Sequence, residues 1–177
     1  MVNGARRGTS FGWLAIAALA PGCAAVPPSG PAAVATVEPT QGNRAAGTVT
    51  FAQKGDKVLV TAKLTGLAPG GHGFHVHEKG DCIAPDGMSA GGHFNPLGKP
   101  HASPSTTDRH AGDMPLLVAD ASGNASLEAE LDVIAVGGGA TDVIGRSVVV
   151  HRDADDFSTQ PAGNSGARVA CGVIRRP

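Results

Sequence analysis

The sequence predicts an all-β fold, with eight short antiparallel strands arranged as a Greek-key barrel or sandwich and two long functional loops. The chain contains 26 glycines and 13 prolines scattered between short valine-rich runs, which is typical of many turns that join short strands. No window carries the long apolar stripe with a 3.6-residue period that marks an amphipathic helix. Aromatic residues make up only 3% of the chain, so the core is expected to consist mainly of Val, Ile, Leu and Ala.

The first 23 residues are predicted to be a targeting segment, and they are set aside from the fold. Arg6 and Arg7 precede an apolar stretch over residues 11–20 that is too short to cross a bilayer as a helix. The ending LAPGC resembles a bacterial lipoprotein signal, in which Cys23 becomes the lipidated first residue. Lipid anchoring through Cys23 and ordinary secretory cleavage nearby both stay open. In either case we expect export to the periplasm or cell envelope.

The exported part is expected to be a flexible linker over residues 24–33 followed by one domain over residues 34–177. The linker is rich in Ala and Pro, with the sequence AAVPPSGPAA. Two of the 14 basic residues lie in the targeting segment, whereas all 15 acidic residues lie beyond it. This weakly negative balance does not favour a nucleic-acid partner. The sequence leaves open whether the protein is a monomer or a homodimer.

The strand candidates follow one another along the predicted domain. Each is a short run rich in β-branched or apolar residues and bounded by turn residues. In chain order they are VATVEPT, AGTVTFAQ, KVLVTAKL, GFHVH, PLLVAD, ASLEAEL, RSVVVH and RVACGVI. The segments QGN, KGD and ASGN supply turns between neighbouring candidates and predict hairpins. Residues 78–114 and 152–167 break this rhythm, and loops of such length in a compact domain are usually functional or disordered.

Cys82 and Cys171 are the two cysteines left after the targeting segment is removed. An even pair in an exported domain favours a disulfide, which would close a long loop and contribute roughly 3 to 5 kcal/mol on the chain-entropy model. Two free buried thiols are the alternative. A thiolate metal site is disfavoured because neither cysteine has a second cysteine at C-x-x-C spacing.

Histidines are few, yet most of them fall at strand ends and in the first long loop. His75 and His77 share one face of a strand because side chains alternate with a period of two. A group of neutral imidazoles with a carboxylate is a ligand set for a borderline transition metal. An all-nitrogen set suits copper, and a closed set of three histidines with one carboxylate suits structural zinc. The candidate residues are His75, His77 and His151 for the first set, and His93, His101, His110 and Asp113 for the second. His72 lies an odd number of positions from His75 and His77, so we expect it on the other face in a structural role.

These motifs resemble those of the copper/zinc superoxide dismutases in their secreted bacterial form. The resemblance covers nearly all of residues 45–175 and is carried by GGHGFHVHEKGDC, SAGGHFNP, RHAGDMP, VVVHRDADD and GNSGARVACGVI. It implies an eight-stranded Greek-key fold and two metals, with one histidine bridging them. The implied copper ligands are His75, His77, His93 and His151. The implied zinc ligands are His93, His101, His110 and Asp113.

The resemblance also implies an activity, namely dismutation of superoxide to dioxygen and hydrogen peroxide by a copper redox cycle with structural zinc. In that activity His93 carries a proton and Arg168 docks the anion beside copper. Asp155 is implied to accept hydrogen bonds from His75 and His101. The alternative is a non-catalytic metal-binding or interaction module on the same fold, because a fold does not guarantee an activity. Loss of a copper ligand or of the arginine would be its signature, and neither is lost here.

Overall fold

The computed structural model describes residues 1, 2, 4 and 32–177. The predicted targeting segment, Cys23 and most of the predicted linker therefore lie outside the described residues. Strand pairing begins two residues before the expected domain start at residue 34, because Ala32 and Ala33 already pair with the second strand. Within the described residues, no helix is long and apolar enough to cross a membrane.

The all-β prediction is confirmed, but the described residues form nine strands rather than eight. One 3₁₀ turn, Met88–Ala90, is the accompanying helical element. The strands are β1 (Ala32–Pro39), β2 (Ala46–Lys54), β3 (Lys57–Thr65), β4 (Gly70–His72), β5 (Phe74–His77), β6 (Leu117–Ala119), β7 (Ala125–Leu131), β8 (Ser147–His151) and β9 (Arg168–Val173). The additional strand is β4, which lies directly before the strand candidate GFHVH and was not predicted.

The chain changes its pairing partner at Gly73, and this change creates the ninth strand. Strand β4 pairs with β6, whereas β5 pairs with β8. Gly73 itself donates its N–H to the Asp153 carbonyl (2.8 Å) and accepts the His151 N–H at its own carbonyl (2.8 Å). A Cβ at Gly73 would lie 2.6 Å from the Ser165 Cβ, so a side chain does not fit.

The strands form one antiparallel sheet in the order β4-β6-β7-β3-β2-β1-β9-β8-β5. Its two outermost strands, β4 and β5, are consecutive in the sequence and joined by the single residue Gly73. The chain itself therefore connects the two edges, and the sheet is nearly closed into a barrel. Near-closure leaves little exposed strand edge.

The barrel interior is a continuous apolar core built from alternate residues of the strands. In β3, for example, Val58, Val60, Ala62 and Leu64 are all buried while the residues between them are more exposed. Most core residues are Val, Leu, Ile or Ala, as the composition predicts. Every side chain of β5 is buried, because Phe74 and Val76 enter this core while the two histidines between and after them lie under the long loops.

The two long connections predicted from the sequence contain no strand of their own. They run from β5 to β6 and from β8 to β9. The first is tied to the barrel by the disulfide between Cys82 and Cys171, whose Cα atoms are 5.8 Å apart. The predicted disulfide is therefore present, and it joins the first long loop to β9.

Candidate metal centre

The candidate site is built on two neighbouring strands. His75 and His77 alternate with core residues on β5, and His151 ends β8, which is paired with β5. Two isolated bridges extend β5 sideways into the first long loop, joining His75 to Asp113 and His77 to His93. The backbone of the loop is thus laid against the strand that carries the histidines, and its own ligand residues come into range.

Two groups of ligand atoms result, and the atoms of each lie within 4.8 Å of one another. We call the first the four-histidine cluster and the second the carboxylate cluster. The four-histidine cluster consists of His75, His77, His93 and His151, and the carboxylate cluster consists of His93, His101, His110 and Asp113. All of these residues are buried. The structure thus brings together every histidine that the sequence analysis assigned to a metal, and His93 belongs to both clusters.

Each ring of the four-histidine cluster is held through one nitrogen and presents the other to the cluster. His77 Nδ1 donates to the Gly91 carbonyl (2.9 Å), and His151 Nδ1 donates to the Gly166 carbonyl (3.1 Å). The two free Nε2 atoms of these rings lie 3.4 Å apart. Because the Nδ1 atoms carry the protons, the Nε2 lone pairs face the cluster, which is how an outer hydrogen bond orients a metal-binding histidine.

Two nitrogens of this cluster are buried with no hydrogen-bond partner within the described part of the chain. They are His75 Nδ1 and His93 Nε2. Buried polar atoms without partners are rare and costly, and each calls for an explanation such as a bound ion. A copper ion held by the imidazole nitrogens of this cluster would satisfy both atoms at once. The residues present therefore fit copper, which is bound well by imidazole.

Asp113 is the centre of the carboxylate cluster. Its Oδ1 lies 3.0 Å from His101 Nδ1, 3.1 Å from His93 Nδ1 and 3.4 Å from His110 Nδ1. Its Oδ2 accepts the backbone N–H groups of Ala102 (3.1 Å) and His110 (3.2 Å), which fixes the carboxylate. Three imidazole nitrogens and one carboxylate oxygen are a ligand set that tetrahedral zinc accepts.

Asp155 links the two clusters from the second long loop. Its carboxylate lies between His75 Nε2 (2.5 Å) and His101 Nε2 (2.9 Å), and it also accepts the Phe157 N–H (2.7 Å). The structure places Asp155 between the two rings that the family resemblance assigns to it. One carboxylate can therefore set the tautomer of a histidine in each cluster.

Burial keeps the rings of the four-histidine cluster neutral. It lowers the pKa of His93 to about 4 and of His151 to about 3, and it holds the pKa of His77 well below its usual range. Only a neutral imidazole offers a lone pair to a metal, so these rings are ready to bind at neutral pH. At neutral pH the cluster therefore offers lone pairs to a metal ion instead of holding protons.

His101 behaves differently because carboxylates flank both of its nitrogens. Burial opposes its charged form, but hydrogen bonds with Asp113 and Asp155 raise its pKa to about 9. Burial also favours the neutral forms of the two carboxyl groups, yet their histidine partners hold both carboxyl pKa values well below the usual range. In the metal-free protein, the protonated His101 ring therefore supplies a positive charge between the two carboxylates.

Arg168 lies at the start of β9, beside a cavity of about 380 Å³ above the four-histidine cluster. Its guanidinium donates to the carbonyls of Gly87 (2.7 Å) and Gly91 (2.6 Å). The Gly91 carbonyl also accepts the His77 ring, so one carbonyl orients both the arginine and a candidate copper ligand. By contrast, Arg152 is paired with Asp153 at 2.9 Å and does not line this cavity.

Sequence reasoning missed the residues that act through the backbone. Gly91 supplies the shared carbonyl, and Gly163 covers the contact between Asp155 and His101 with φ of +64°. A Cβ at Gly163 would overlap Asp155 Oδ1 and lie 2.6 Å from His101 Nε2. Both glycines lie in motifs that carry the family resemblance, SAGGHFNP and GNSGARVACGVI, but nothing in those motifs indicates which backbone group will be used.

His72 stays outside both clusters, but not for the reason expected. Its two ring nitrogens lie 2.8 Å from the carbonyls of Ala68 and His151. An odd spacing places side chains on opposite faces only within one continuous strand, whereas His72 ends β4 and β5 begins after Gly73. Its structural role follows from these two backbone contacts.

Two groups of buried imidazoles that share one histidine, set on a nearly closed antiparallel barrel under two long loops, define a class of binuclear metalloprotein. Comparison with known proteins narrows this class. The family model of copper/zinc superoxide dismutase matches residues 45–174, and the chain therefore belongs to that family. Its enzyme class is superoxide dismutase, its cofactors are copper and zinc, and superoxide is its substrate.

A solved structure supports the same relationship. The crystal structure of the clock protein EA4 has 39% sequence identity to this chain and a TM-score of 0.75. The match covers 84% of this chain and 96% of that protein. The likeness therefore extends over the whole domain rather than over the metal-binding motifs alone.

Proposed function

We propose that this chain removes superoxide by a copper redox cycle, with copper in the four-histidine cluster and zinc in the carboxylate cluster. The observation that carries the proposal is the arrangement of His93, whose Nε2 is a buried atom in need of a partner while its Nδ1 faces Asp113. Bound copper would supply the electron acceptor for one superoxide and the electron donor for a second, which leaves with two protons as hydrogen peroxide. Zinc has no redox chemistry and would order the loop.

The chain's own residues bind and orient the substrate. The lining of the cavity above the four-histidine cluster includes Arg168 and the imidazole rings of four histidines, so an anion entering it meets one guanidinium beside these rings. The Gly87 and Gly91 carbonyls fix two guanidinium nitrogens, which leaves the positive charge in a defined place. Charge focused in a cleft attracts anions and raises association rates.

His93 can also hold a proton. Its Nε2 faces the four-histidine cluster and is free to carry a proton whenever it is not engaged there. Its other nitrogen, Nδ1, lies 3.1 Å from Asp113 and would stay on the zinc side, so a proton on Nε2 leaves the ring neutral, as its burial requires. His93 is thus placed to store one of the two protons that peroxide formation requires.

His151→Ala tests this division of roles. His151 belongs to the four-histidine cluster alone, so we expect the variant to lose dismutation and copper while it retains one zinc per chain. The control is Arg152→Ala, the next residue, which is exposed and whose guanidinium pairs with Asp153. The control is expected to keep both metals and parental activity. Loss of both metals from His151→Ala would show that the partition of ligands is wrong.

We further propose that the protein works in the periplasm or cell envelope, where it would protect the cell from superoxide outside the cytoplasm. The targeting features of residues 1–23 and the disulfide support this location, because disulfides persist in oxidising compartments. Mass spectrometry of the N-terminal peptide from the native protein tests it. A lipidated peptide starting at Cys23 would establish an anchor, an unlipidated new N-terminus would establish simple export, and an intact Met1 peptide would overturn both. Light scattering on the same preparation distinguishes a monomer from a homodimer.

A further inference from the structure

Both long loops meet at one residue, His101. The second loop contacts the His101 ring through Asp155, whose Oδ1 is 2.9 Å from the ring Nε2. The same loop also forms hydrogen bonds with the His101 backbone through Gln160. The His101 N–H donates to Gln160 Oε1 (2.9 Å), and Gln160 Nε2 donates to the His101 carbonyl (2.7 Å).

The contact with the backbone uses both ends of a side-chain amide. Asn and Gln carry an N–H donor and a C=O acceptor on one planar amide, and Gln is one methylene longer. Gln160 is exposed, so its two hydrogen bonds with the His101 backbone form in competition with water rather than as a result of burial. The pair of bonds reproduces the exchange of N–H and C=O contacts between two paired residues of antiparallel strands.

Gln160 belongs to a segment that is closed on itself. The Asp156 N–H donates to the Gly163 carbonyl at 2.9 Å, which brings the two ends of the segment together. Pro161 and Ala162, directly after Gln160, line the cavity above the four-histidine cluster. The hydrogen bonds of Gln160 therefore hold the lining residues Pro161 and Ala162 close to His101, a candidate zinc ligand.

We propose that Gln160 is a positioning residue that couples zinc retention at His101 to closure of the 152–167 loop over the metals. Asp155 fixes the His101 ring, and Gln160 fixes its backbone. Without the amide, the His101 backbone loses its two hydrogen bonds to the second loop. Pro161 and Ala162, which line the cavity, are then no longer held to the carboxylate cluster through Gln160. The inference rests on the proposed zinc assignment of His101.

The test uses the mature protein loaded with zinc and no copper, so its readout is independent of dismutation. Gln160→Met keeps the length of the side chain and removes both hydrogen bonds. The matched control is Gln53→Met, because Gln53 also bridges backbone groups, donating to the carbonyls of Gly55 and Lys57 and accepting the Val136 N–H, away from the metals. Zinc release to an excess of a coloured chelator and hydrogen exchange of residues 155–165 are measured for both variants.

We expect Gln160→Met to release zinc about tenfold faster than the parent, because two hydrogen bonds that compete with water fall at the lower end of the usual net strength. Exchange in residues 155–165 should rise in that variant alone, and Gln53→Met should stay within twofold of the parent in both measurements. Equal zinc release by the two variants, or unchanged exchange in the loop of Gln160→Met, would overturn the inference while leaving the zinc site intact. A parent protein that takes up no zinc would instead overturn the zinc assignment and the inference with it.

Discussion

Removal of the disulfide is expected to weaken both the fold and the substrate site. Cys82 and Cys171 are separated by 89 residues, so the bond constrains half of the chain in the unfolded state. The chain-entropy relation gives about 4 to 5 kcal/mol for a loop of that size. We therefore expect Cys82→Ala combined with Cys171→Ala to lower the free energy of unfolding by that amount. Alanine avoids placing a hydroxyl group at the buried position 171.

The assay is urea unfolding of the metal-free protein, followed by circular dichroism at 25 °C. Metal must be absent because an ion bound only to the folded state would add its own stabilisation. Peptide mapping of the parent without reductant verifies that the bond is formed in the sample. A loss below about 1 kcal/mol, against a fully bonded parent, would refute the reasoning.

The same bond should matter for catalysis at a distance. It ties β9, which begins with Arg168, to the loop that carries the Gly87 and Gly91 carbonyls. When the loop is released, the guanidinium loses its fixed acceptors, and the second-order rate with superoxide should fall several-fold in variant protein that still holds both metals. A fully metallated double variant with the parental rate would show that the carbonyls do not position Arg168.

Three further predictions concern the metals and the anion. Asp113→Ala removes the centre of the carboxylate cluster, so the protein should lose zinc and melt at a lower temperature while part of its copper chemistry survives; unchanged zinc content would sink the assignment. Arg168→Ala should lower the second-order rate about tenfold and Arg168→Glu more, with both metals retained, and added salt should slow the parent; a parental rate for Arg168→Glu at low ionic strength would remove the docking role. At pH 7 zinc binding should displace the proton from His101, whose pKa is raised to about 9 in the metal-free protein. Calorimetry in buffers of different ionisation enthalpy should therefore count about one released proton per zinc, with apparent affinity falling about tenfold per pH unit below pH 9. Because the pKa of His101 is raised from 6.5, the protonated ring should stabilise the metal-free fold fully below about pH 6.5, and this stabilisation should be lost as the pH rises to about 9. Zinc binding without proton release, together with a constant stability between pH 6.5 and 9, would contradict the prediction.

The fold class was predictable because local alternation in the sequence matches the inward and outward alternation of the barrel. In β3, four buried apolar residues alternate with more exposed ones, and the sequence run KVLVTAKL shows that pattern directly. The ninth strand was not predictable. Strand β4 ends just before Gly73 and pairs with β6, whereas β5 begins just after it and pairs with β8, and the choice of partner is a property of the assembled sheet.

In the candidate metal centre too, some residues could be predicted from the sequence and others could not. The histidines could be recognised as candidate ligands in the sequence because they are few and chemically distinctive. The structure brings together those assigned to the metals. The groups that orient them are different, since many are backbone carbonyls such as that of Gly91. Every residue carries a carbonyl, so the sequence cannot indicate which one will be used. Gln160 was missed for a related reason, because its partner is the backbone of His101 rather than a side chain.

The central claim is that one chain holds two different metals in adjoining clusters and uses them to consume superoxide. The most direct measurement is the copper and zinc content of the purified mature protein, determined on the same sample as its rate of superoxide consumption. We expect one copper and one zinc per chain, with a rate that rises in proportion to copper occupancy. A sample that holds both metals in full and consumes superoxide no faster than the metal-free chain would contradict it, and the protein would then be a metal-binding module on this fold.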